Sequence, residues 1–544
     1  MGKDQRTLLK LSRYLLLMAM TLVGIFFIVA SGGGGGDGDD ISGTPDDTTA
    51  PSTPAGLTAE ADSATTILLG WDAATDNVGV AGYLIYRDGS QIQDLYSPAG
   101  LVFDDTELSP ETTYSYRVSA YDSAGNESAR SAEAEATTLP IQVVQFGTSG
   151  DDFGSGVGLD ATGDVYVAGS TKGTLDAPAI GGQDAFVRKF NSDKETQWTV
   201  QFGTTDMDEV NAVAVDPDGN SYVAGSTEGI LKYSSILKDA FLVKYDPAGD
   251  EVWVNQVYSQ YSEEGFAVAV DYSNSCVYLA GMTSGDIYGF TNAGTLGAFD
   301  LFLAKYDLDG AEEWKTQTGI VGNDIAYGVA VDGSGNVYIT GQTNGDLDPN
   351  DDDSSHHGGP DAFLIKFDSS GTRLWTRQWG TSDFDYGNGV AVDSHGYIYV
   401  AGITYGALDG ANAGDRDVFL VKYDADGNQQ WIRQTGSSNE DHSRAISVNS
   451  SDDIYITGMT RGIISDINEG GTDIFLVVYD DEGNLLGETQ GGSSGEDEAG
   501  GIAIDSVNSC FYITGQTSGG VDGNTNIGGW DALLIKMSFE GDLL

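Results

Sequence analysis

The fold is decided by a stretch in the middle of the chain, Val213-Ala-Val-Asp216, which the turn Asp218-Gly219-Asn220 joins to Tyr222-Val-Ala-Gly225. Both runs alternate small and branched side chains, as short β-strands do, and Asp-Gly-Asn is typical of a tight hairpin. The run Asp239–Asp246 and the run around Trp253 add two further β-prone segments. Four such segments joined by hairpins predict one four-stranded antiparallel sheet.

This pattern recurs seven times from residue 141 onward. Its copies are marked by glutamines spaced roughly 55 to 61 residues apart, a period typical of a β-propeller. The glutamines are Gln145, Gln201, Gln256, Gln317, Gln378, Gln434 and Gln490. The last copy lacks its outer strand, whereas residues 141–146 form an unmatched one. Pairing the two would close a seven-bladed ring and remove exposed sheet edges.

The repeat resembles the bacterial seven-bladed β-propeller repeat (SBBP) family over roughly 400 residues. The resemblance implies an all-β propeller over residues 140–544, in an exported protein that serves as a surface scaffold or binder. It names no ligand.

Residues 51–139 predict a second all-β unit. Short alternating runs at Thr65–Trp71, Gly82–Tyr86 and Thr113–Tyr121 are separated by turn residues, as in an immunoglobulin-like sandwich.

Two segments of this unit, Ile67-Leu-Leu-Gly-Trp71 and Leu108-Ser-Pro-Glu-Thr-Thr-Tyr114, resemble bacterial fibronectin type III domains. The resemblance implies that Trp71 fills the space between the sheets. It also implies that Tyr114 forms a tyrosine corner, with its hydroxyl bonded to nearby backbone. The implied role of the unit is that of a spacer.

The N-terminal residues 1–31 have the order of an export signal. Basic residues up to Arg13 precede the apolar run Tyr14–Ala30, and small residues follow. The apolar run is also long enough to serve as an uncleaved membrane anchor. Residues 32–50 are a Gly/Asp-rich linker, predicted to be disordered. We therefore expect an extracellular or cell-envelope location, with membrane contact only if the signal is not cleaved.

The formal charge of −58 narrows the range of partners. Such a surface repels phosphate backbones, so nucleic acid is excluded as an expected partner, whereas divalent cations are attracted.

An acidic residue occurs at one position of every repeat. It is either part of a cation-binding or catalytic mouth, or a side chain that bonds turn amides within its own blade, and we favour the second interpretation. These residues, called here the first-strand carboxylates, are Asp152, Asp208, Glu263, Asp324, Asp385, Asp441 and Asp497.

The best metal candidate lies in an irregular insertion. Asp346, Asp348, Asn350 and Asp352 place hard oxygen ligands at alternate positions, as calcium loops do. The segment lacks the central glycine and terminal glutamate of an EF-hand, so a solvated loop is the alternative.

Five tryptophans occupy one position of the repeat, three residues before the glutamine, and are predicted to seal the seam between blades. They are Trp198, Trp253, Trp314, Trp375 and Trp431.

The sequence indicates no catalytic residue. The four histidines do not gather in one repeat, and neither a phosphate-cradling loop nor a dinucleotide motif is present. We therefore expect a noncatalytic protein that binds a glycan, a protein or a matrix polymer, with no required cofactor and with calcium as an optional ion. The alternatives are a glycosidase or lyase with its active site at one propeller mouth, and a calcium-stabilised structural protein.

Overall fold

A computed structural model describes most of the chain beyond residue 46. The described residues are 47–61, 66–96, 101–106, 108, 112–138, 143–175, 178–232, 237–287, 298–347, 357–410, 412–465, 468 and 470–539. They form β-strands and no helix, so within this part of the chain no helix could cross a membrane. The predicted export segment and residues 32–46 of the predicted linker lie outside the described residues.

The first unit is a sandwich of two antiparallel sheets, with strand orders β1-β2-β5 and β4-β3-β6-β7. Its strands are β1 (Thr58–Ala61), β2 (Ile67–Gly70), β3 (Val80–Arg87), β4 (Ser90–Leu95), β5 (Val102–Asp105), β6 (Thr113–Asp122) and β7 (Ala134–Thr137). Trp71 and Tyr83 are buried between the sheets and meet edge to face, with ring centroids 5.5 Å apart.

Tyr114 packs, partly buried, against the same core, and its ring lies 5.5 Å from the guanidinium carbon of Arg87. The neighbouring residues 109–111 lie outside the described residues, so the predicted bond from its hydroxyl to nearby backbone stays a prediction. The fully buried tyrosine on this strand is Tyr116, whose hydroxyl donates to Asp105 at 2.8 Å.

From residue 143 onward, the described residues form seven antiparallel sheets of four strands each. The first three sheets contain β9 (Asp152–Leu159), β10 (Val165–Thr171), β11 (Asp184–Phe190) and β12 (Thr196–Phe202); β13 (Asp208–Val215), β14 (Ser221–Thr227), β15 (Asp239–Tyr245) and β16 (Glu251–Val257); and β17 (Glu263–Asp271), β18 (Cys276–Thr283), β19 (Asp300–Asp307) and β20 (Glu312–Thr318).

The next three contain β21 (Asp324–Val331), β22 (Val337–Thr343), β23 (Asp361–Phe367) and β24 (Arg373–Trp379); β25 (Asp385–Val392), β26 (Ile398–Thr404), β27 (Asp417–Tyr423) and β28 (Gln429–Thr435); and β29 (Asp441–Val448), β30 (Ile454–Thr460), β31 (Asp473–Tyr479) and β32 (Leu485–Gly491). The seventh contains β33 (Asp497–Asp505), β34 (Cys510–Thr517), β35 (Asp531–Ser538) and β8 (Val143–Phe146).

The outer strand of the seventh sheet comes from the start of this region. Strand β8 pairs antiparallel with β35, and Val144 lies opposite Leu534. The first strands of consecutive sheets contact each other, and β33 of the seventh sheet contacts β9 of the first. The first strand of every sheet therefore lies against the first strands of the neighbouring sheets, and we call these seven strands the innermost strands.

Close backbone approach explains the small residues of the inner strands. A Cβ atom at Gly156 would lie 2.8 Å from the amide nitrogen of Val213 in the next sheet. Gly169, in the second strand, faces the carbonyl oxygen of Phe153 at a register shift, and a side chain there would collide with that oxygen. Glycine is required at both positions because a β-bulge and a neighbouring strand leave no room for Cβ.

Candidate ligand-binding site

The first-strand carboxylates are buried within the sheets and do not line a mouth. Each has an exposed fraction of 0%. Asp152 accepts hydrogen bonds from the backbone amide and hydroxyl of Thr148, at 2.6 and 3.0 Å. Asp208 is held in the same way by Thr204. These contacts agree with the interpretation that the side chains bond turn amides, and the cation-binding mouth predicted as the alternative is not formed by them.

A second buried aspartate begins the third strand of each sheet and accounts for the repeated glutamine. The Gln201 amide donates to Asp184 at 2.7 Å and to the carbonyl of Gly173 at 2.9 Å, and its oxygen accepts from the amide of Leu175 at 3.0 Å. The glutamine thus fastens the loop between the second and third strands to the outer strand. The sequence shows the repetition of this residue but not its partners.

The five predicted seam tryptophans are half-buried and reach the next sheet. Trp253 donates its indole N–H to the carbonyl of Leu308 at 3.0 Å, and its ring lies against Gly310. Lys244 donates to the same carbonyl at 2.9 Å. Trp198, Trp314, Trp375 and Trp431 make the equivalent bond to the following sheet.

The candidate site lies where the innermost strands begin. Over the first four positions of six of these strands, buried and more exposed residues alternate, so the second and fourth positions face away from the sheet interior. In β21 the second residue, Ile325, is buried as well. Unlike the buried positions, these positions differ from repeat to repeat. Residues of the adjoining segments, Lys238, Phe384, Tyr405, Arg416 and Glu440, lie beside some of these positions. We call the following combined set the mouth cluster: Glu209, Lys238, Glu264, Phe266, Tyr327, Phe384, Tyr386, Tyr405, Arg416, Glu440, His442, Arg444 and Glu498.

One part of the mouth cluster is a shared ion pair. The Lys238 ammonium lies 2.7 Å from Glu209 and 3.3 Å from Glu264. Burial raises the pKa of the Glu264 carboxyl even though Lys238 lowers it. Burial alone would lower the pKa of Lys238, but its hydrogen bond to Glu209 and the two carboxylate charges raise the value overall.

A second part is an aromatic platform. The Phe384 and Tyr386 rings are nearly parallel, at 11° with centroids 6.3 Å apart, and Tyr405 meets Phe384 edge-on at 5.6 Å. Phe384 is 47% exposed. The guanidinium of Arg416 donates to the Tyr405 hydroxyl at 3.3 Å and pairs with Glu440 at 3.1 Å.

The third part contains the histidine of the sixth sheet. Burial, together with the positive charges of Arg444 and Arg416, lowers the pKa of His442 to about 3. Arg444 lies 3.7 Å from Glu498 on the neighbouring innermost strand. His442 is therefore neutral at physiological pH and offers a hydrogen-bonding imidazole without charge.

The predicted calcium loop is only partly described. Asp346 is a described residue, whereas Asp348, Asn350 and Asp352 lie outside the described residues. A cavity of about 420 Å³ beside Leu347 is lined by outer-strand residues such as Thr316, Gln317 and Arg373, and none of its lining residues belongs to the mouth cluster.

The sequence analysis did not predict the mouth cluster, because it derived candidate sites from residues that repeat and the mouth cluster lies at positions that do not. The available signal was the opposite one: alternate positions of each first strand that do not repeat, such as Glu264, Tyr386 and His442.

Comparison with protein families agrees with this architecture. The family described as Beta-propeller repeat (SBBP) matches residues 143–175, 197–232, 313–348 and 374–408, and Fibronectin type III domain matches residues 52–137. The chain carries SBBP beta-propeller repeats and a fibronectin type III domain. Both resemblances noted in the sequence are confirmed.

The curated relatives share parts of this SBBP-repeat chain. An "Alpha-amylase" of Niallia circulans is 48% identical over 99 residues, covering 18% of this chain and 7% of the relative. "Chitinase Chi52" of Paenibacillus xylanexedens is 46% identical over 92 residues, 17% of each. An "Uncharacterized WD repeat-containing protein" of Acanthamoeba polyphaga mimivirus is 24% identical over 446 residues, 63% of this chain and 32% of the relative. The chain thus spans at most about a third of the length of these relatives.

Among solved structures, FN3tt is 28% identical and covers 17% of this chain and 98% of its own, with a TM-score of 0.15. The exotype rhamnogalacturonan lyase YesX is 14% identical over 89% of each chain, with a TM-score of 0.34.

Proposed function

We propose that the seven sheets are the blades of one closed seven-bladed β-propeller, and that the protein is an exported, noncatalytic surface binder holding a glycan at the propeller mouth. The closure is supported by the contact of β9 with β33 and by the pairing of β8 with β35. The glycan proposal is carried by one observation, the nonrepeated mouth cluster with its exposed aromatic platform. A site for one asymmetric ligand needs side chains that break the symmetry of the repeats.

The composition of the cluster favours a neutral glycan. Phe384 and Tyr386 present flat apolar faces, and the surrounding charged groups are already paired, as Arg416 is with Glu440. The net charge of −58 disfavours polyanionic ligands. Two of the relatives are an alpha-amylase and a chitinase, which suggests maltoheptaose and chitohexaose as first probes.

The test is isothermal titration calorimetry of the full chain with these two oligosaccharides, after a glycan-array screen. Phe384→Ala and Tyr386→Ala are expected to weaken binding at least tenfold, which corresponds to about 1.4 kcal/mol. Tyr96→Ala is the matched control, because Tyr96 is an exposed aromatic of the fibronectin domain at 81% exposure. Binding that survives both mouth variants would contradict the site, and selective capture of a protein or matrix polymer would replace the glycan as ligand.

A carbohydrate-active enzyme is the second candidate, favoured by the two carboxylates that share Lys238. Glu264, with its raised pKa, could act as an acid beside Glu209. Incubation of the bound glycan with the protein, followed by measurement of new reducing ends or unsaturated products, separates the two proposals. Turnover that Glu264→Gln abolishes while glycan binding persists would establish the enzyme and overturn the noncatalytic proposal.

A further inference from the structure

Asp47, just before the fibronectin domain, converges with two aspartates from separate segments of that domain. Asp47 lies ahead of β1, Asp76 lies between β2 and β3, and Asp122 is the last residue of β6. Each contributes one carboxylate oxygen to a group in which all three oxygens lie within 4.8 Å of one another.

Backbone amides orient these carboxylates. Asp76 accepts from the amides of Val78 and Gly79, both at 2.8 Å, through Oδ2. Asp122 is 2% exposed and accepts from Asn126 through both oxygens. The Asn126 side chain also donates to the carbonyl of Asp47 at 2.9 Å, which fastens the segment before the domain to the turn after β6.

One carboxylate oxygen of Asp47 and one of Asp76 are left without a hydrogen-bond donor. Asp47 Oδ2 and Asp76 Oδ1 are shielded from solvent and accept no hydrogen bond. Among the described residues no lysine, arginine or histidine forms an ion pair with any of the three carboxylates. Burying carboxylate oxygens unpaired and close to one another is costly unless a positive charge neutralises them.

We propose that Asp47, Asp76 and Asp122 bind a calcium ion. All three ligands are hard oxygen atoms with no sulfur or imidazole among them, which favours calcium or magnesium over zinc or copper. Three oxygens that all lie within 4.8 Å of one another can bind a single cation. Calcium accepts such a partly formed, irregular oxygen shell, whereas magnesium requires near-octahedral geometry and gives up its water ligands reluctantly. The ion ties Asp47 to the sandwich and stiffens the junction with the preceding linker. The site is independent of what the propeller mouth binds.

The experiment is hydrogen–deuterium exchange of the full chain, with and without calcium, in 150 mM sodium chloride. Calcium is expected to slow exchange in peptides covering residues 74–80 and 120–128, where the amides of Val78, Gly79 and Asn126 bond the carboxylates. Localised protection distinguishes this site from diffuse calcium binding by an acidic surface. Magnesium at the same concentration is expected to protect these peptides less.

Asp76→Asn and Asp47→Asn are expected to remove this protection and to weaken calcium binding at the site at least tenfold. Asp47 precedes the first strand, so Asp47→Asn leaves the sandwich folded even if Asp76→Asn does not. Asp72→Asn is the matched control, an exposed aspartate of the same domain outside the group. Unchanged exchange in both peptides on adding calcium, or protection that survives Asp47→Asn and Asp76→Asn, would overturn the proposal.

Discussion

The side-chain amide of Gln145 donates a hydrogen bond to the carboxylate of Asp531 at 2.8 Å, across 386 residues of sequence. Gln434 makes the same bond to Asp417 at 2.9 Å, across only 17 residues. The two bonds have the same chemistry, but only the first joins the two ends of the proposed ring.

This pair gives a direct test of ring closure. Gln145→Ala and Gln434→Ala each remove one donor from a buried carboxylate, which costs about 1.5–3 kcal/mol of unfolding free energy. We expect similar losses in chemical denaturation but different patterns of hydrogen exchange. Gln145→Ala should accelerate exchange in β8 and β35 together, whereas Gln434→Ala should act within the fifth sheet. Unaltered exchange in β8 and β35 after Gln145→Ala would contradict closure through this pairing.

The all-β architecture and the four-stranded sheets could be predicted because the same β-prone segments and hairpin turns recur in each repeat. Hairpin turns such as Asp218-Gly219-Asn220 and the alternation in Tyr222-Val-Ala-Gly225 act locally, so sequence alone reveals them. The pairing of β8 with β35 was predictable for another reason, since the last repeat lacked an outer strand and the segment before the first repeat supplied an unmatched one.

The candidate site could not be predicted because it depends on contacts between distant segments. Lys238 precedes a strand of the second sheet and Glu264 lies in the third sheet, and no local pattern indicates that they meet. Asp47, Asp76 and Asp122 are likewise brought together only by the fold, since Asp47 lies just before the fibronectin domain and Asp122 near the end of its sequence. The most regular acidic residues of the sequence are the first-strand carboxylates, and their repetition reflects a structural role.

The tryptophan seam between sheets can be tested through two matched glycines. Gly310 and Gly396 both lie in Asp-x-x-Gly turns with positive φ, 86° and 83°. A Cβ at Gly310 would lie 2.7 Å from the Trp253 ring, whereas a Cβ at Gly396 meets nothing within 4 Å.

Both alanine variants bear the strain of a left-handed backbone, about 1 kcal/mol. Gly310→Ala should therefore destabilise the protein by about 1–3 kcal/mol more than Gly396→Ala, because it also displaces the ring. Urea denaturation measures the difference. Equal losses would show that the Trp253 contact does not constrain the seam.

The acidic loop predicts a calcium effect on the propeller. If Asp346, Asp348, Asn350 and Asp352 hold calcium, adding the ion raises the melting temperature, because a ligand that binds only the folded state stabilises it. Differential scanning calorimetry with calcium and with chelator measures the shift. The double variant Asp348→Asn/Asp352→Asn should lose the shift in the propeller transition, while Asp76→Asn should leave it intact. A shift that the double variant retains would assign calcium to another site.

Stability should fall as pH rises from 5 to 8, because of the first-strand carboxylates. Burial is the main reason why the pKa of Glu263 is raised to about 7 and that of Asp324 to about 6. In the unfolded chain these groups titrate near pH 4. Since folding favours the protonated form, the stability they contribute is complete below about pH 4 and is lost as pH rises through 6 and 7.

Thermal unfolding across this pH range, in high salt to screen the surface charge, measures the slope. Glu263→Gln does not titrate, so it should flatten the decline between about pH 5 and 7, and Asp324→Asn should flatten it between about pH 5 and 6. The control is Glu228→Gln, because Glu228 is an exposed glutamate of the second repeat. This substitution also replaces a glutamate by glutamine, but at an exposed position, so it should leave the slope of stability against pH unchanged. A Glu263→Gln profile parallel to that of the unmodified protein would show that Glu263 is ionised throughout, and that the decline arises from general charge repulsion.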